Sequence, residues 1–183
     1  MSSDPRHSDE LITSISVYLA TGGDDPDDGT QGGVSNDRAS ISLGIAGREF
    51  GLARSDVTDQ QKDSADTYVL GEGGNVVKPG WNDPRRPRRT LGDLIDHPVY
   101  VRFTPPPDVP DDDWHLSRAD VTVTGAGGSS VTYSAQLGEP GVWLGSTSGQ
   151  VVRLDRRHST AEGTKMRASD RNLKMAITPV TWR

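Results

Sequence analysis

The stretch VPDDDWHLSRADVTV, residues 109–123, decides the fold of this chain. Three carboxylates precede a tryptophan, and apolar residues then alternate with polar ones through Leu116, Val121 and Val123. A period of two is typical of a strand that buries one face, and SVTYSA at 130–135 is its predicted hairpin partner. The acids at the start of this strand have three interpretations: a solvated turn, a metal-binding loop, or the rim of a contact surface.

The same alternation recurs along the chain. Leu11, Ile15, Val17 and Leu19 share one face of a first predicted strand. Residues 38–53 are predicted to form two strands around a turn at Ala46 and Gly47. Further short apolar runs lie at 66–70, 97–103, 141–144 and 150–154. The sequence therefore predicts an all-β protein, an antiparallel β-sandwich of about eight strands.

The length and composition fit one domain of this class. The chain has 183 residues, with 21 Gly and 12 Pro, and no segment shows a sustained helical period. We expect a flexible N-terminal arm at 1–10, the sandwich at 11–157 and a C-terminal extension at 158–183. Because the extension regains apolar alternation, it is either a further edge strand or a docking segment that pairs with a neighbour's sheet.

Several classes of protein are disfavoured by composition. The chain has no cysteine, so neither disulfides nor thiolate zinc sites are available. Its N-terminus lacks the pattern of a secretory signal and no apolar run is long enough for a membrane span, so cytoplasmic residence is expected. The formal net charge of −6 argues against nucleic-acid binding, which needs many cations.

The sequence offers little for catalysis. The four histidines have no spacing that would hold zinc; they are His7, His97, His115 and His158. No serine lies in a G-x-S-x-G pattern of the strand-to-helix type. We therefore expect a protein that is not an enzyme.

A basic loop interrupts this acidic chain. KPGWNDPRRPRR, residues 78–89, has a local charge of +4 and contains a tryptophan, Trp81. One interpretation is a solvated loop with Trp81 packed over the sandwich edge. The others are contact with a partner protein, an anionic membrane surface or, least favoured, nucleic acid. The candidate binding residues are Trp81, Arg85, Arg86, Arg88, Arg89 and, in the C-terminal extension, Trp182.

The order of motifs resembles the PLAT domain, also called the lipoxygenase homology domain, over roughly residues 11–155. The most specific matches are the Asp113-Trp114 pair before one strand and the Trp143-Leu144 pair before the last strand. The resemblance implies an eight-stranded sandwich related in shape to C2 domains. It also implies a role in interaction rather than catalysis.

Calcium is the cofactor that this resemblance brings into question. In calcium-binding members, ligands come from the loop between the first two strands and from acids just before the tryptophan. Ca²⁺ prefers several oxygen ligands, and carboxylates on two loops could supply them. The candidates are Asn36, Asp37, Asp112 and Asp113, with Asp24, Asp25, Asp27 and Asp28 as additions.

Two functions of different classes follow from the sequence. The first is a non-catalytic binding module that docks on a partner protein, or less favourably on an anionic lipid surface, with calcium as a candidate aid. The second is a structural subunit of a larger assembly, in which the C-terminal extension makes contacts between copies. The second function would make the protein a homo-oligomer.

Overall fold

A computed structural model describes residues 9–27, 29–34, 40–56 and 60–157. These ranges contain nine strands and one 3-10 turn, Gly92–Leu94, so the predicted all-β class is confirmed. No helix in them has the length and apolarity that crossing a membrane requires. The strands are β1 Ile12–Thr21, β2 Ser40–Ile45, β3 Arg48–Gly51, β4 Ala65–Gly71, β5 Val99–Thr104, β6 Trp114–Gly125, β7 Ser130–Ser134, β8 Val142–Leu144 and β9 Val151–Arg156.

All the strands pair antiparallel and form two layers. One layer has the order β4-β1-β6-β7, with β8 paired to the start of β6, and the other has the order β3-β2-β5-β9. Strand β9 joins them, because its first four residues pair with β5 while Asp155 and Arg156 pair with β7. The apolar faces of both layers meet in a single buried core, as the sandwich prediction requires.

Strand β6 is the central strand of its layer, and a bulge determines which of its side chains reach the core. The register with β1 shifts between Ala20 and Thr21, opposite Arg118 and Leu116. Apolar core positions accordingly change from even numbers, Trp114 and Leu116, to odd numbers from Ala119 onward, and His115, which is also buried, lies on the other face of the strand. An extra residue reverses the side on which later side chains lie, so both halves of β6 face the core.

Trp114 connects the two layers. Its side chain is fully buried, and its indole Nε1–H donates a hydrogen bond to Thr21 Oγ1 at 3.0 Å. Its ring centroid lies 5.9 Å from that of Phe103 on β5, in the other layer. A buried tryptophan needs a partner for its N–H, and Thr21 at the end of β1 supplies it.

The predicted hairpin turn at Ala46 and Gly47 is confirmed. Both residues have positive φ, 50° and 73°, which two-residue turns between antiparallel strands favour. His97, just before β5, packs against this turn, since a Cβ at Gly47 would lie 2.9 Å from its Nε2. Glycine is required there for both its backbone conformation and its small size.

One expectation about the core was wrong. Leu11 was expected on the buried face of β1 but is 38% exposed, because a register shift between Ile12 and Ser14 places Ile12 in the core instead. The loop that follows β4 is rich in Gly, Pro and charge, yet three of its apolar residues are buried in the core: Val76, Leu91 and Leu94.

The Trp114–Thr21 hydrogen bond can be tested with a double-mutant cycle. Thr21→Val leaves a buried N–H without an acceptor, so we expect a loss of about 1–3 kcal/mol in unfolding free energy. Because Trp114→Phe removes that N–H, the double variant should lose less than the sum of the single losses. Urea unfolding measures all four proteins, and Thr122→Val, at a half-buried site on β6, serves as control. Strictly additive losses would contradict the coupling.

Candidate functional site: the arginine pocket

The basic loop and the acidic turn lie at opposite ends of the sandwich. Pairing places the start of β1 beside the ends of β4 and β6, and the basic loop lies at this end. The end of β1 meets the start of β6 at the opposite end, where the acidic turn at 111–113 lies. The predicted basic and acidic surfaces are therefore separated by the length of the strands.

The basic end is organised by the arginine loop, residues 78–89. Asn82 fastens this loop to strand β3, because its Nδ2 donates to the Val77 carbonyl at 3.0 Å and its Oδ1 accepts from Gly51 N at 2.9 Å. Arg48 of β3 donates to three carbonyl oxygens of the loop, those of Trp81, Asp83 and Arg86. These contacts hold the loop backbone in one conformation although it contains glycine and proline.

Asp83 is the internal counter-ion of the arginine loop. It is 7% exposed, and its carboxylate accepts from Arg85 N at 2.9 Å, Nε at 2.8 Å and Nη2 at 3.0 Å. The hydrogen bond from Arg85 lowers the pKa of Asp83 below its usual value and, reciprocally, Asp83 raises the pKa of Arg85. Asp83 therefore neutralises one arginine and fixes its direction.

The arginines surround a pocket of about 470 Å³. Its opposite wall comes from the start of β1 and the turn after β6, which are joined by a hydrogen bond from Ala126 N to the Leu11 carbonyl at 2.8 Å. The arginine loop is attached to β1 by a bond from Ile12 N to the Arg89 carbonyl, also 2.8 Å. The lining residues are Leu11, Ile12, Thr13, Asp83, Arg85, Arg86, Arg88, Arg89 and Ala126. We call this site the arginine pocket.

The arginine pocket has a surplus of positive charge. Among its lining side chains, four guanidinium groups face one carboxylate, a formal charge of +3, and the charge of Glu72 also acts on Arg85. Arg86 reaches Asp83 only at 4.0 Å, and no carboxylate of the described ranges pairs with Arg88 or Arg89. Arg89 Nε is buried without an acceptor. The exposed guanidinium groups of Arg86 and Arg88 are available to an anionic ligand, whereas the buried Nε of Arg89 is not.

Trp81 projects from the same loop. It is 81% exposed, so it does not pack over the sandwich edge, which was one interpretation of the sequence. Its backbone is nevertheless fixed, because its N–H donates to the Lys78 carbonyl at 2.9 Å and its carbonyl accepts from Arg48. A large aromatic side chain on a fixed backbone is well suited to contact with another molecule.

The acids at the opposite end have diverse surroundings. Asp24 accepts from Lys62 Nζ at 2.6 Å and from Gly32 N at 3.1 Å, and these bonds lower its pKa. The pKa of Asp113 is raised by burial and then by the neighbouring charges of Asp111 and Asp112. The aspartates are thus not one uniform solvated cluster.

His115 joins the loop after β1 to the start of β6. Its backbone donates to the Gly32 carbonyl at 3.0 Å and accepts from Gly22 N at 2.8 Å, and its Nδ1 lies 2.8 Å from the Gly23 carbonyl. Its ring stacks on Trp143 with centroids 4.6 Å apart. The two loops expected to share a metal are therefore neighbours, and His115 has a structural role there.

The described residues do not assemble a metal site. Within residues 9–27, 29–34, 40–56 and 60–157, no group of three or more His, Asp or Glu side chains is arranged to hold an ion. Asp24 is already engaged by Lys62, and Asn36, Asp37 and Asp28 lie outside the described residues. Calcium binding stays a prediction, and these ranges give it no ligand set.

The remaining predicted residues have separate outcomes. Trp114 is in the core, and Trp143 is half-buried in β8, paired with His115 of β6. Trp182 and the C-terminal extension from residue 158 lie outside the described residues, as do residues 1–8 of the predicted arm. Glu10, assigned to that arm, is held instead, because its carbonyl accepts from Leu91 N at 2.9 Å.

Sequence reasoning found the arginines but not the residues that shape their pocket. Arg48, Leu11 and Ala126 come from distant parts of the chain, and only strand pairing brings them to one end. The sequence analysis counted Asp83 only within the local charge of +4 for residues 78–89 and gave it no role in a site. The Asp-x-Arg spacing was a usable signal, since an aspartate commonly bonds the backbone two residues ahead.

Comparison with known proteins adds little to these observations. No family model matches the chain, and no curated protein matches it. Among solved structures, the chain is similar to a lipoxygenase ("Crystal structure of Delta413-417:GS LOX") with 11% identity and a TM-score of 0.39. The likeness covers 77% of this chain and 16% of that one. Any function therefore has to rest on the side chains described above.

Asp83→Asn should weaken the fold in a pH-dependent way. The pKa of Asp83 is lowered on folding, so its ionised form stabilises the protein above the unfolded value of about 3.9, and this stabilisation is lost as the pH falls through the folded pKa. Near pH 7 we expect a loss of roughly 1.5–3 kcal/mol in unfolding free energy. The difference from the unmodified protein should shrink in urea unfolding below about pH 4.

Asp56→Asn is a matched control for this variant. Asp56 also accepts two hydrogen bonds from an arginine two residues away, Arg54, but its side chain is 61% exposed. Solvent weakens such a pair, so its loss should have a smaller effect. Equal losses of unfolding free energy in the two variants would show that burial does not strengthen the Asp83–Arg85 pair.

Proposed function

We propose that this protein is a non-catalytic, PLAT-like binding module that docks on an acidic segment of a partner protein through the arginine pocket. One observation carries the proposal: a recess with a net charge of +3 whose Arg88 and Arg89 have no carboxylate partner in the described part of the chain. Arginine recognises carboxylates and related anions through two parallel hydrogen bonds. Trp81, on the same loop, would add an apolar contact.

The charge distribution supports an oriented complex. The chain as a whole carries −6, so an acidic partner is repelled by most of the surface and attracted at the arginine pocket. Such local complementarity raises the association rate and selects one orientation. It also argues against nucleic acid, for which a long basic surface would be needed.

The fixed backbone of the arginine loop also supports docking. Arg48, Asn82 and Asp83 hold the loop before any ligand arrives. Less conformational entropy is then lost on binding. The shape of the site favours a protein segment over a membrane, because a recess accepts an inserted chain, whereas a lipid surface is flat. Calcium has no part in this proposal, since the acidic loops lie at the other end.

A second function, a structural subunit of a larger assembly, is supported by the opposite charges of the arginine pocket and the acidic turn at 111–113. The arginine pocket of one copy could meet the acidic turn of the next, which would give a head-to-tail series rather than a closed pair. The C-terminal extension, 158–183, would add contacts between copies.

The docking proposal predicts arginine-dependent binding of an acidic peptide. The probe is a fluorescein-labelled peptide of alternating Glu and Leu, and fluorescence anisotropy measures its affinity. We expect Arg86→Glu combined with Arg88→Glu to weaken binding at least about tenfold, a loss of about 1.4 kcal/mol. Added salt should also weaken it. Arg153→Glu, at an exposed position on β9 outside the pocket, is the control.

Three results would contradict docking on a protein. The first is no binding of the peptide by the unmodified protein at low salt, and the second is equal binding by the pocket and control variants. In the third, vesicles containing phosphatidylserine adsorb the protein through the same arginines while the peptide does not bind. That result would assign the arginine pocket to a lipid surface.

The assembly function predicts salt-sensitive oligomers. Sedimentation velocity at micromolar concentration should show species larger than a monomer, which dissociate at high salt because the contact between ends is ionic. Arg88→Glu or deletion of 158–183 should reduce them. Mixing the Arg88→Glu protein with the Asp111→Lys protein should restore association. The substituted pocket of the first variant and the substituted turn of the second again carry opposite charges. A monomer under all conditions would exclude this function.

A further inference from the structure

We infer that the group bound in the arginine pocket is a phosphoryl group carried on a peptide, such as phosphoserine or phosphothreonine. This inference rests on the proposed docking function and specifies the chemistry of the partner's acidic segment. Four observations about the pocket support it: its charge, the arrangement of its donors, its volume and its apolar wall.

The charge of the pocket matches one dianion better than one carboxylate. Asp83 neutralises Arg85, and the other three arginines leave the surplus of +3. A phosphoryl ester carries about −1.5 to −2 at neutral pH on three acceptor oxygens, so one group can engage two or three guanidinium groups. Carboxylates could match that charge only if several entered the same recess, where they would repel one another.

The donors of the pocket already include one that lacks an acceptor. Arg89 Nε is shielded from solvent and has no hydrogen-bond partner within the described residues. A ligand oxygen cannot reach a shielded atom, so the contacts of Arg89 with the phosphoryl group would come from the remaining nitrogens of this half-buried side chain, which can donate parallel hydrogen bonds. The backbone of Arg89 is fixed to β1 through Ile12, so these donors are part of a formed site rather than of a loose side chain.

The size and the wall of the pocket indicate that the phosphoryl group is attached to a chain. A volume of about 470 Å³ lies within the usual range for sites that hold a small organic ligand, of about 300–1,000 Å³, and exceeds what a bare anion needs. One wall is apolar: Leu11 is 38% exposed, beside Ala126 and Ile12. An apolar side chain next to the phosphoresidue would cover Leu11, which explains a large aliphatic residue exposed beside arginines.

The test uses three fluorescein-labelled peptides that differ at one central position, which is serine, glutamate or phosphoserine, followed by leucine. Anisotropy titration should give at least about tenfold tighter binding for the phosphopeptide than for the glutamate peptide, a difference of about 1.4 kcal/mol. The serine peptide should bind weakest. Replacing the leucine by serine in the phosphopeptide should weaken binding, because the contact with Leu11 is lost.

Two pocket variants examine the role of the guanidinium fork. Arg89→Lys keeps the charge but cannot donate two parallel bonds, so it should remove most of the preference for phosphoserine over glutamate. Arg88→Gln serves as a second variant at an exposed position, in case Arg89→Lys fails to fold, and thermal unfolding checks both. Arg153→Lys on β9 is the matched control and should bind like the unmodified protein.

The outcomes separate this inference from the docking proposal. Equal, arginine-dependent affinity for the glutamate and phosphoserine peptides would overturn the phosphoryl inference and leave docking intact. Failure of both peptides to bind would overturn both. Inorganic phosphate that displaces the phosphopeptide at concentrations near the peptide's own Kd would assign the site to the free ion. Tighter binding to vesicles containing phosphatidic acid than to the phosphopeptide would assign it to a lipid phosphate.

Discussion

The pairing of β6 with three other strands is the constraint on which the rest of the structure depends. Strand β6 pairs with β1 on one side and with β7 and β8 on the other. The bulge near Arg118 turns both halves of β6 toward the core. Trp114 then fixes the end of β1 and the opposite layer through Thr21 and Phe103. Because β6 runs the full length of its layer, it also determines which loops meet at each end.

The arginine pocket follows from this pairing together with one ion pair. Strand pairing brings the start of β1 beside the turn after β6 and forms the apolar wall, and the arginine loop closes the other side. The arginines of the loop repel one another, so other contacts have to stabilise it. Asp83 neutralises Arg85, and Arg48 donates hydrogen bonds to loop carbonyls. No carboxylate among the lining residues compensates the surplus charge of the other three arginines.

Local chemistry and distant contacts explain which features the sequence could predict. Alternation and turn residues predicted the strands and the Ala46–Gly47 turn, because both depend on neighbouring residues. The burial of Ile12 in place of Leu11 was missed, since a bulge changes the period without a distinct residue type. The arginines were recognisable as a charge run. Their assembly into a pocket with Leu11 and Ala126 was not, because that depends on pairing between residues far apart in sequence.

The separation of opposite charges onto the two ends has a physical consequence for binding. At the acidic end, Asp24 is engaged by Lys62, and His115 draws the loop after β1 against the start of β6, so several polar groups there satisfy one another. At the basic end, Arg88 and Arg89 lack such partners within the described ranges. A donor without a partner in the protein gains more from a ligand than one already bonded there, because only its hydrogen bonds to water have to break. The basic end is therefore the more favourable place for an anionic partner, although the chain as a whole is acidic.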